Sequence, residues 1–430
     1  MKRVILTFAA CFLIFQLSAQ DNIEKIRNIT VEDAVLLAAN NNISLQRQKI
    51  SLDLLEKRNK SSWNSVSPSA SLSGNFNKPL GENSDGYSYS LSASVSLALT
   101  PSLYTSIQDA KLKYESGKTS YDDALRQIEL NVRKLFYSLL YTKESINLQK
   151  RNMETSRLRY ENNRDKYNRG QLSELDLLQS QYSYESQRPS IESAEISYQN
   201  NVASFKQILG LSQDEKIELE GSINDALPPE SFTITQTVDE LPSIKKIKTS
   251  IEMQKNSLLA TRFSAYGPSL SASYSYGKSG NNHTEGLDGM QTQNSISIGV
   301  RLPLDGYLPW SNGALSIDNQ KANLKDLELQ LANERTSAEL TLQNSIKNIL
   351  LKQSQMELLN RNVEIAEKSY EMTLAAYNHG SRDLLTLQNA ADSLLKAKTD
   401  RESHIYSLIS AVLELENTLG IPFGSLGDQK

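Results

Sequence analysis

The sequence predicts a mainly α-helical chain with a small β part, built as two tandem structural repeats. Three observations carry this prediction. The first is internal likeness: Tyr167-Asn168-Arg169-Gly170 returns as Tyr377-Asn378-His379-Gly380. At the same offset Leu175 and Leu177 fall on Leu385 and Leu387, and Leu209-Gly210-Leu211 on Leu419-Gly420-Ile421. Upstream, Pro68-Ser69-Ala70-Ser71 returns as Pro268-Ser269-Leu270-Ser271, with Trp63 falling on Phe263. Halves of roughly 200 residues mark a duplicated unit, because solenoid repeats run only about 20 to 50 residues. The second observation is strict period-2 alternation in one short region of each half, the mark of strands. The third is a long proline-free stretch in each half with apolar residues on heptad spacings, the mark of coiled-coil helices.

The elements follow in order. Residues 1–19 read as an export signal: Lys2 and Arg3, an apolar core from Val4 to Leu17, then Ser18-Ala19-Gln20, with cleavage after Ala19. Cys11, the only cysteine, lies inside that core. It is either a small hydrophobe discarded with the signal or a lipidated residue after Phe8-Ala9-Ala10. The first repeat, 20–211, opens with a helix from Val31 to Ser61 and continues into a β-hairpin over 66–99. Ala70, Leu72 and Phe76 oppose Ser69, Ser71, Ser73 and Asn75 in its first strand. A turn-rich loop, Lys78 to Gly86, leads to the second strand. There Tyr87, Tyr89, Leu91, Ala93, Val95, Leu97 and Leu99 share one face, and Ser88, Ser90, Ser92, Ser94 and Ser96 the other.

A helix over 103–168 follows, with the seam Leu125, Ile128, Val132, Leu135, Leu139, Ile146 and Met153. At 1.5 Å per residue such a helix is close to 100 Å long, beyond any single compact domain. A turn at Gly170 reverses the chain into a helix over 172–209. Residues 212–240, with Gly221, Pro228, Pro229 and the β-prone run 232–235, form a connector packed outside the helices. The second repeat, 241–421, repeats the plan: a helix, then a hairpin over 268–304 with Leu270, Ala272, Tyr274 and Tyr276. A Gly/Asn-rich loop from Gly277 to Gly289 precedes Ile296, Ile298, Val300 and Leu302. A helix over 314–378 carries the seam Ile346, Ile349, Met356, Leu359, Val363, Ala366 and Tyr370. After the Gly380 turn comes a helix over 383–419 and a tail, 422–430.

Composition narrows the function. The chain has 430 residues, 38% hydrophobic and 22% charged, with a net charge of -4; its mean hydropathy is -0.46. Only Val4 to Leu17 is a sustained apolar run, with Thr7 and Gln16 its only polar residues, so no helix reaches the roughly 20 residues a bilayer span needs. The mildly acidic balance argues against nucleic acid as a partner. An apolar share this low suits an extended, surface-rich shape. Once the signal is removed no cysteine remains, and packing or oligomerisation must hold the chain together.

Alternation most often marks a soluble sheet with one dry face, but three features favour a membrane barrel. The polar face is serine rather than Lys or Glu; tyrosines Tyr87, Tyr89, Tyr274 and Tyr276 stand where an aromatic girdle would; and the strands approach the 9 to 11 residues of a tilted span. Ser88, Ser90, Ser92, Ser94 and Ser96 then face a lumen. Tyr87, Tyr89, Leu91, Val95, Leu97, Ile296, Ile298 and Val300 face lipid. Four strands cannot close a barrel, and two copies give eight while three give twelve. Side chains fill the interior of an eight-stranded barrel, so a conduit favours three or more copies.

Signal, duplicated helix-hairpin-helix-turn-helix plan and the Tyr-x-x-Gly turn in each half together resemble the TolC-type outer-membrane efflux proteins, over essentially the whole mature chain. The resemblance implies a homotrimer in the cell outer membrane: four transmembrane strands per chain in a shared twelve-stranded β-barrel, and a long α-helical barrel in the periplasm. It implies a passive exit duct of a tripartite efflux or type I secretion system, opened by a periplasmic adaptor (membrane fusion protein) and an inner-membrane RND or ABC pump. It further implies a gate beside the tip turns Gly170 and Gly380. Arg382 matches the family's gating arginine, Asp176 its acidic partner on the neighbouring hairpin, and Tyr377 the tip tyrosine. Ser173 to Asp176 also has capping-box spacing, which explains an acid there without any gate. The family's aspartate ring falls on Thr386 and Asn389 here, a departure that leaves the ion selectivity of the tip open; Asp383 is either a displaced ring or a solvated acid at a helix start.

No catalytic, cofactor or metal site is expected. G-x-S-x-G, G-x-x-x-x-G-K-[ST] and H-E-x-x-H are missing, and His283, His379 and His404 are scattered. The remaining alternative is an exported coiled-coil scaffold or adhesin whose hairpins are adhesive tips. Drug, metal and protein cargo stay open.

Overall fold

Thr30 starts the first helix by a reciprocal cap: the Asp33 amide donates to Thr30 Oγ1 at 3.2 Å and the Thr30 amide to Asp33 Oδ2 at 3.3 Å. The structure, a computed structural model, describes residues 26–80, 86–228, 236–281 and 289–426. The expected signal at 1–19 with Cys11, loop positions 81–85, Pro229 with the β-prone run 232–235, His283, and tail positions 427–430 lie outside the described residues.

The helices are α1 (Val31–Asn41), α2 (Ile43–Lys60), α3 (Ser102–Asn168), α4 (Glu174–Glu185), α5 (Arg188–Leu209), α6 (Pro242–Tyr266), α7 (Asn312–Asn378) and α8 (Leu384–Leu419). Two helices expected to be continuous are divided. The Val31 to Ser61 helix breaks at Asn42, whose backbone is extended (ψ 120). Its Oδ1 accepts the amides of Ser44 and Leu45, capping α2, while Nδ2 donates to the Ile208 carbonyl at 2.9 Å. The 172–209 helix breaks before Pro189, which has no N–H for the Glu185 carbonyl. Ser186 and Gln187 keep right-handed helical backbone, so the heptad phase continues from α4 into α5.

Strand β1 (Arg27–Ile29) pairs in parallel with β4 (Ile217–Leu219). Strands β2 (Ser69–Asn77), β3 (Ser88–Leu99), β5 (Ser269–Asn281) and β6 (Gln291–Arg301) form one antiparallel sheet in the order β2-β3-β5-β6. The β3–β5 ladder therefore joins the hairpins of the two repeats. Strand β5 runs to Asn281, past the expected loop start at Gly277. The physical reason is two-sided pairing: Gly277 to Asn281 oppose Ser92 to Ser88, and Gly277 to Ser279 also oppose Gln293 to Gln291. Tyr274 and Tyr276 consequently sit in mid-strand opposite Val95 and Ala93 and do not mark a strand end. Tyr87 precedes β3 by one residue and Leu302 follows β6 by one.

The chain divides into two compact units. The unit made of Met1–Gln46, Ala124–Thr235 and Thr341–Lys430 has a core where Ile29, Ala34, Ala38, Val132, Phe136, Leu139, Phe205, Leu209 and Leu219 are buried together. Phe136 and Phe205 are fully enclosed with ring centroids 6.2 Å apart, each worth about 1.5 to 3 kcal/mol of transfer free energy. Beside it Leu130, Ile223, Ile405, Ile409 and Leu413 form a second cluster. The connector thus enters both cores through Leu219 and Ile223. In the other unit, Arg47–Asp123 with Gln236–Leu340, Leu258 and Ala265 of α6 pack on Ile317 of α7. There the buried Asn256 donates to the Thr105 carbonyl at 2.9 Å. Among the described residues no helix is long and apolar enough to cross a membrane.

Candidate functional site

The two faces of the four-stranded sheet differ chemically because register aligns their parity. Ser71, Ser94, Ser275 and Ser295 form one row across all four strands, and Ser69, Ser96, Ser273 and Ser297 the next. Hydroxyls bridge the strands: Ser69 to Ser96 at 2.8 Å, Ser71 to Ser94 at 2.9 Å, Ser73 to Ser92 at 2.8 Å and Ser275 to Ser295 at 2.6 Å. Such cross-strand pairs contribute roughly 0.2 to 1 kcal/mol each. The expected polar set, Ser88 to Ser96, occupies one strand; pairing adds the serines of β2, β5 and β6. Their parity was readable as Ser269, Ser271, Ser273 and Ser275, but which face they share depends on pairing. Arg301 is the one charged side chain on this face among the described strand residues.

The opposite face is apolar. Ala70, Val95, Tyr274 and Ile296 form one row, and Leu97, Ala272 and Ile298 another. Ile296, Ile298 and Val300 are each at least 75% exposed, so none of the described residues covers them. Phe76, Tyr87 and Tyr89 cluster at the loop end, with centroids 5.8 and 6.2 Å apart. On the β5–β6 side the face turns polar sooner, at Lys278, Thr292 and Asn294.

The two glycine turns are built alike. Gly170 and Gly380 adopt left-handed φ of 73 and 75. The Gly170 and Gln171 amides donate to the Tyr167 and Lys166 carbonyls, both at 2.8 Å. Gly380 and Ser381 donate to Tyr377 and Ala376, both at 2.9 Å. This is a Schellman close, and glycine is required because a Cβ opposes that φ.

Around these turns the structure separates the three residues singled out by resemblance. Asp176 is engaged locally: its amide donates to Ser173 Oγ at 3.2 Å, and Ser173 Oγ donates to Asp176 Oδ2 at 2.6 Å. Arg382 is exposed and forms no ion pair within the chain among the described residues. Asp383 is the N-cap of α8, accepting the Thr386 amide at 2.8 Å. Hydrogen bonds from Thr386, with a smaller contribution from Arg382, hold its carboxyl below the usual range. Tyr377 donates its hydroxyl to Asn163 Oδ1 of α3 at 3.1 Å, and Lys166 Nζ lies 5.9 Å from its ring centroid. Asn163 was not singled out from sequence. It is 1% exposed and its Nδ2 has no partner among the described residues. One heptad earlier Arg159 reaches the Tyr370 hydroxyl at 3.5 Å. Two polar contacts, four residues apart on α3 and seven apart on α7, thus join these helices near the turns. Among the described residues no group of three or more His, Cys, Asp or Glu could hold a metal ion.

A profile described as outer membrane efflux protein matches residues 34–211 and 242–421. No curated protein matches the sequence. Among solved structures, the chain is 18% identical to the CmeC outer membrane channel of Campylobacter jejuni, covering 91% of this chain and 85% of that one with a TM-score of 0.75. It is 14% identical to the outer membrane protein VceC of Vibrio cholerae, covering 91% and 96% at a TM-score of 0.73. The Neisseria gonorrhoeae MtrE outer membrane channel, in its open state, is 16% identical, covering 91% and 89% at a TM-score of 0.70. At these identities the likeness is one of fold.

Proposed function

The chain belongs to the outer membrane efflux protein family and is an efflux exit duct; we propose that it works as a passive homotrimeric conduit in the cell outer membrane, its helical part in the periplasm. The observation that carries this reading is the sheet β2-β3-β5-β6, with a serine face, an apolar face and two open edges. Hydrocarbon does not tolerate unpaired backbone, so β2 of one copy pairs with β6 of the next. Three copies give twelve strands, enough to keep a lumen open. Ser88 to Ser96 line that lumen together with the serines in their rows. Leu91, Val95, Leu97, Ile296, Ile298 and Val300 meet lipid, and Tyr87 and Tyr89 meet its boundary. Residues 1–19 direct export, and the two repeats at 20–211 and 241–421 flank the connector at 212–240. A periplasmic adaptor opens the duct and an inner-membrane RND or ABC pump supplies the energy.

The gate lies beside Gly170 and Gly380. Arg382 stands at the start of α8, where a cation is mildly unfavourable, and it has an exposed guanidinium to offer a neighbour. Asp176 of the adjacent copy is that neighbour. Its cap leaves one carboxylate oxygen available. Tyr377 braces the turn through Asn163. An exposed pair contributes about 0 to 1 kcal/mol, so three copies yield to an adaptor. The test is reconstitution of the purified protein in planar bilayers. Wild type is expected to insert as a channel of low conductance, and Arg382→Ala to conduct several-fold more. Failure to insert would overturn the conduit, and unchanged conductance would overturn the lock.

A further inference from the structure

Two charged side chains stand on the four-stranded sheet among its described residues, and pairing puts them on opposite faces and at opposite ends. Lys278 lies on the apolar face, in the row of Leu91 and Thr292, toward the hairpin loops. Arg301 lies on the serine face, opposite Ser269, where β6 leaves the sheet toward α7. Its carbonyl accepts from Ser269 Oγ at 3.4 Å. Its side chain is exposed and forms no ion pair among the described residues. The rows between Arg301 and the loops are neutral: Ser271 with Gly299, Ser273 with Ser297, and Ser275 with Ser295. Several of these hydroxyls are already turned to each other across the strands, as Ser275 to Ser295 at 2.6 Å shows. Nothing on this face of the described strands offsets the guanidinium.

On the duct reading, three copies set three Arg301 side chains at one level of the lumen, because cyclic symmetry repeats a position without changing its height. Twelve strands about 4.8 Å apart and tilted by about 40° make a barrel roughly 24 Å across between backbones. An extended arginine carries its guanidinium carbon about 6 Å from Cα, which brings the three charges within about 6 Å of the axis and about 10 Å of one another. That separation is close to the Debye length of about 10 Å at 0.1 M salt, so the three cations still repel. An anion on the axis lies nearer to each of them than they lie to one another, and it relieves that repulsion. Guanidinium also presents paired N–H donors that match carboxylate and phosphate oxygens.

We propose that Arg301 of the three copies forms an anion-binding ring at the helical end of the strand barrel. Its ligand is a small multivalent anion bearing carboxylate, sulfonate or phosphate groups. The proposal rests on the duct reading and deepens it. Cargo leaving the helical part meets the ring before it meets the serine rows, so the strand barrel admits anions more readily than cations.

The test uses full-length protein purified in mild detergent, with 8-hydroxypyrene-1,3,6-trisulfonate, a rigid disc carrying three sulfonates, as the probe. Binding is followed by fluorescence anisotropy at low salt, and native mass is measured on every sample. Wild type is expected to bind one probe per three chains, and more weakly as salt is raised. Arg301→Gln is expected to lose at least roughly tenfold in affinity, because charge-assisted hydrogen bonds from three guanidiniums are removed. Lys278→Gln, on the other face, is expected to bind like wild type. Arg301→Lys keeps the charge and is expected to bind more tightly than Arg301→Gln; equal affinity of the two would overturn electrostatic capture. Trimeric protein in which Arg301→Gln binds no more weakly than Lys278→Gln would overturn the ring and leave the duct standing. One probe per chain would also overturn the ring, since separate sites would then hold the probes. Protein that stays monomeric would overturn the trimer and the ring with it.

Discussion

Glu416, near the end of α8, is 1% exposed; its Oε1 accepts the Leu426 amide at 3.1 Å, and Oε2 has no partner among the described residues. Burial pushes its pKa up, against the opposing pull of the Gly424 and Leu426 amides and of Arg133. A carboxyl raised in the folded state contributes stability that is present below its unfolded pKa and lost as pH rises through the folded value. Glu416→Gln is therefore expected to raise the thermal midpoint of the detergent-solubilised protein by about 2 to 4 °C at neutral pH and not at about pH 4. A gain equal at both pH values would mean that packing, not charge, limits the site. At the same scale the tip residues show what spacing reveals. Ser173 and Asp176 are three apart, and their cap could be read directly. The Tyr377 partner lies 214 residues away on another helix, and no local pattern points to Asn163.

Among the elements, the strands show how pairing overrides composition. Gly277 to Asn281 read as loop because glycine, lysine and asparagine are poor strand formers, yet pairing with β3 and β6 extends β5 through them. The helix breaks at Asn42 and Pro189 have local causes, an amide cap and a missing N–H. Both residues were visible, although the apolar period ran through them. The face assignment yields a prediction at this scale. Ile298→Lys, on the apolar face, is expected to cost about 2 to 4 kcal/mol if it sits at the bilayer midplane, and Ser297→Lys on the serine face much less. The measurement is the fraction recovered in membranes as a heat-modifiable oligomer. Equal loss for both would reverse or erase the assignment of lipid and lumen.

For the whole molecule, purified protein in mild detergent is expected to have the mass of three chains by light scattering after correction for bound detergent. A dimer would leave eight strands, whose interior side chains fill. The low apolar share, 38%, now has a physical account. On the proposed duct reading, the side chains that meet lipid occupy only alternate positions of four strands, so they add little to the apolar share. The efflux family was legible from the duplicated plan, because a repeat of roughly 200 residues with a hairpin, a heptad helix and a glycine turn in each half constrains the answer more than any single motif. The same plan left little for the scaffold reading, and the family profile matching both halves favours the duct.

The sequence by itself determined the duplicated plan, the strand parity and the glycine turns, because each depends on residues close together in the chain. Only the tertiary structure decided that β3 and β5 join the two hairpins into one sheet, that serines of four strands share a face, and that Tyr377 is held by Asn163. Those features depend on contacts between residues up to about two hundred positions apart, and their register is set by hydrogen-bond geometry and packing rather than by any period along the chain.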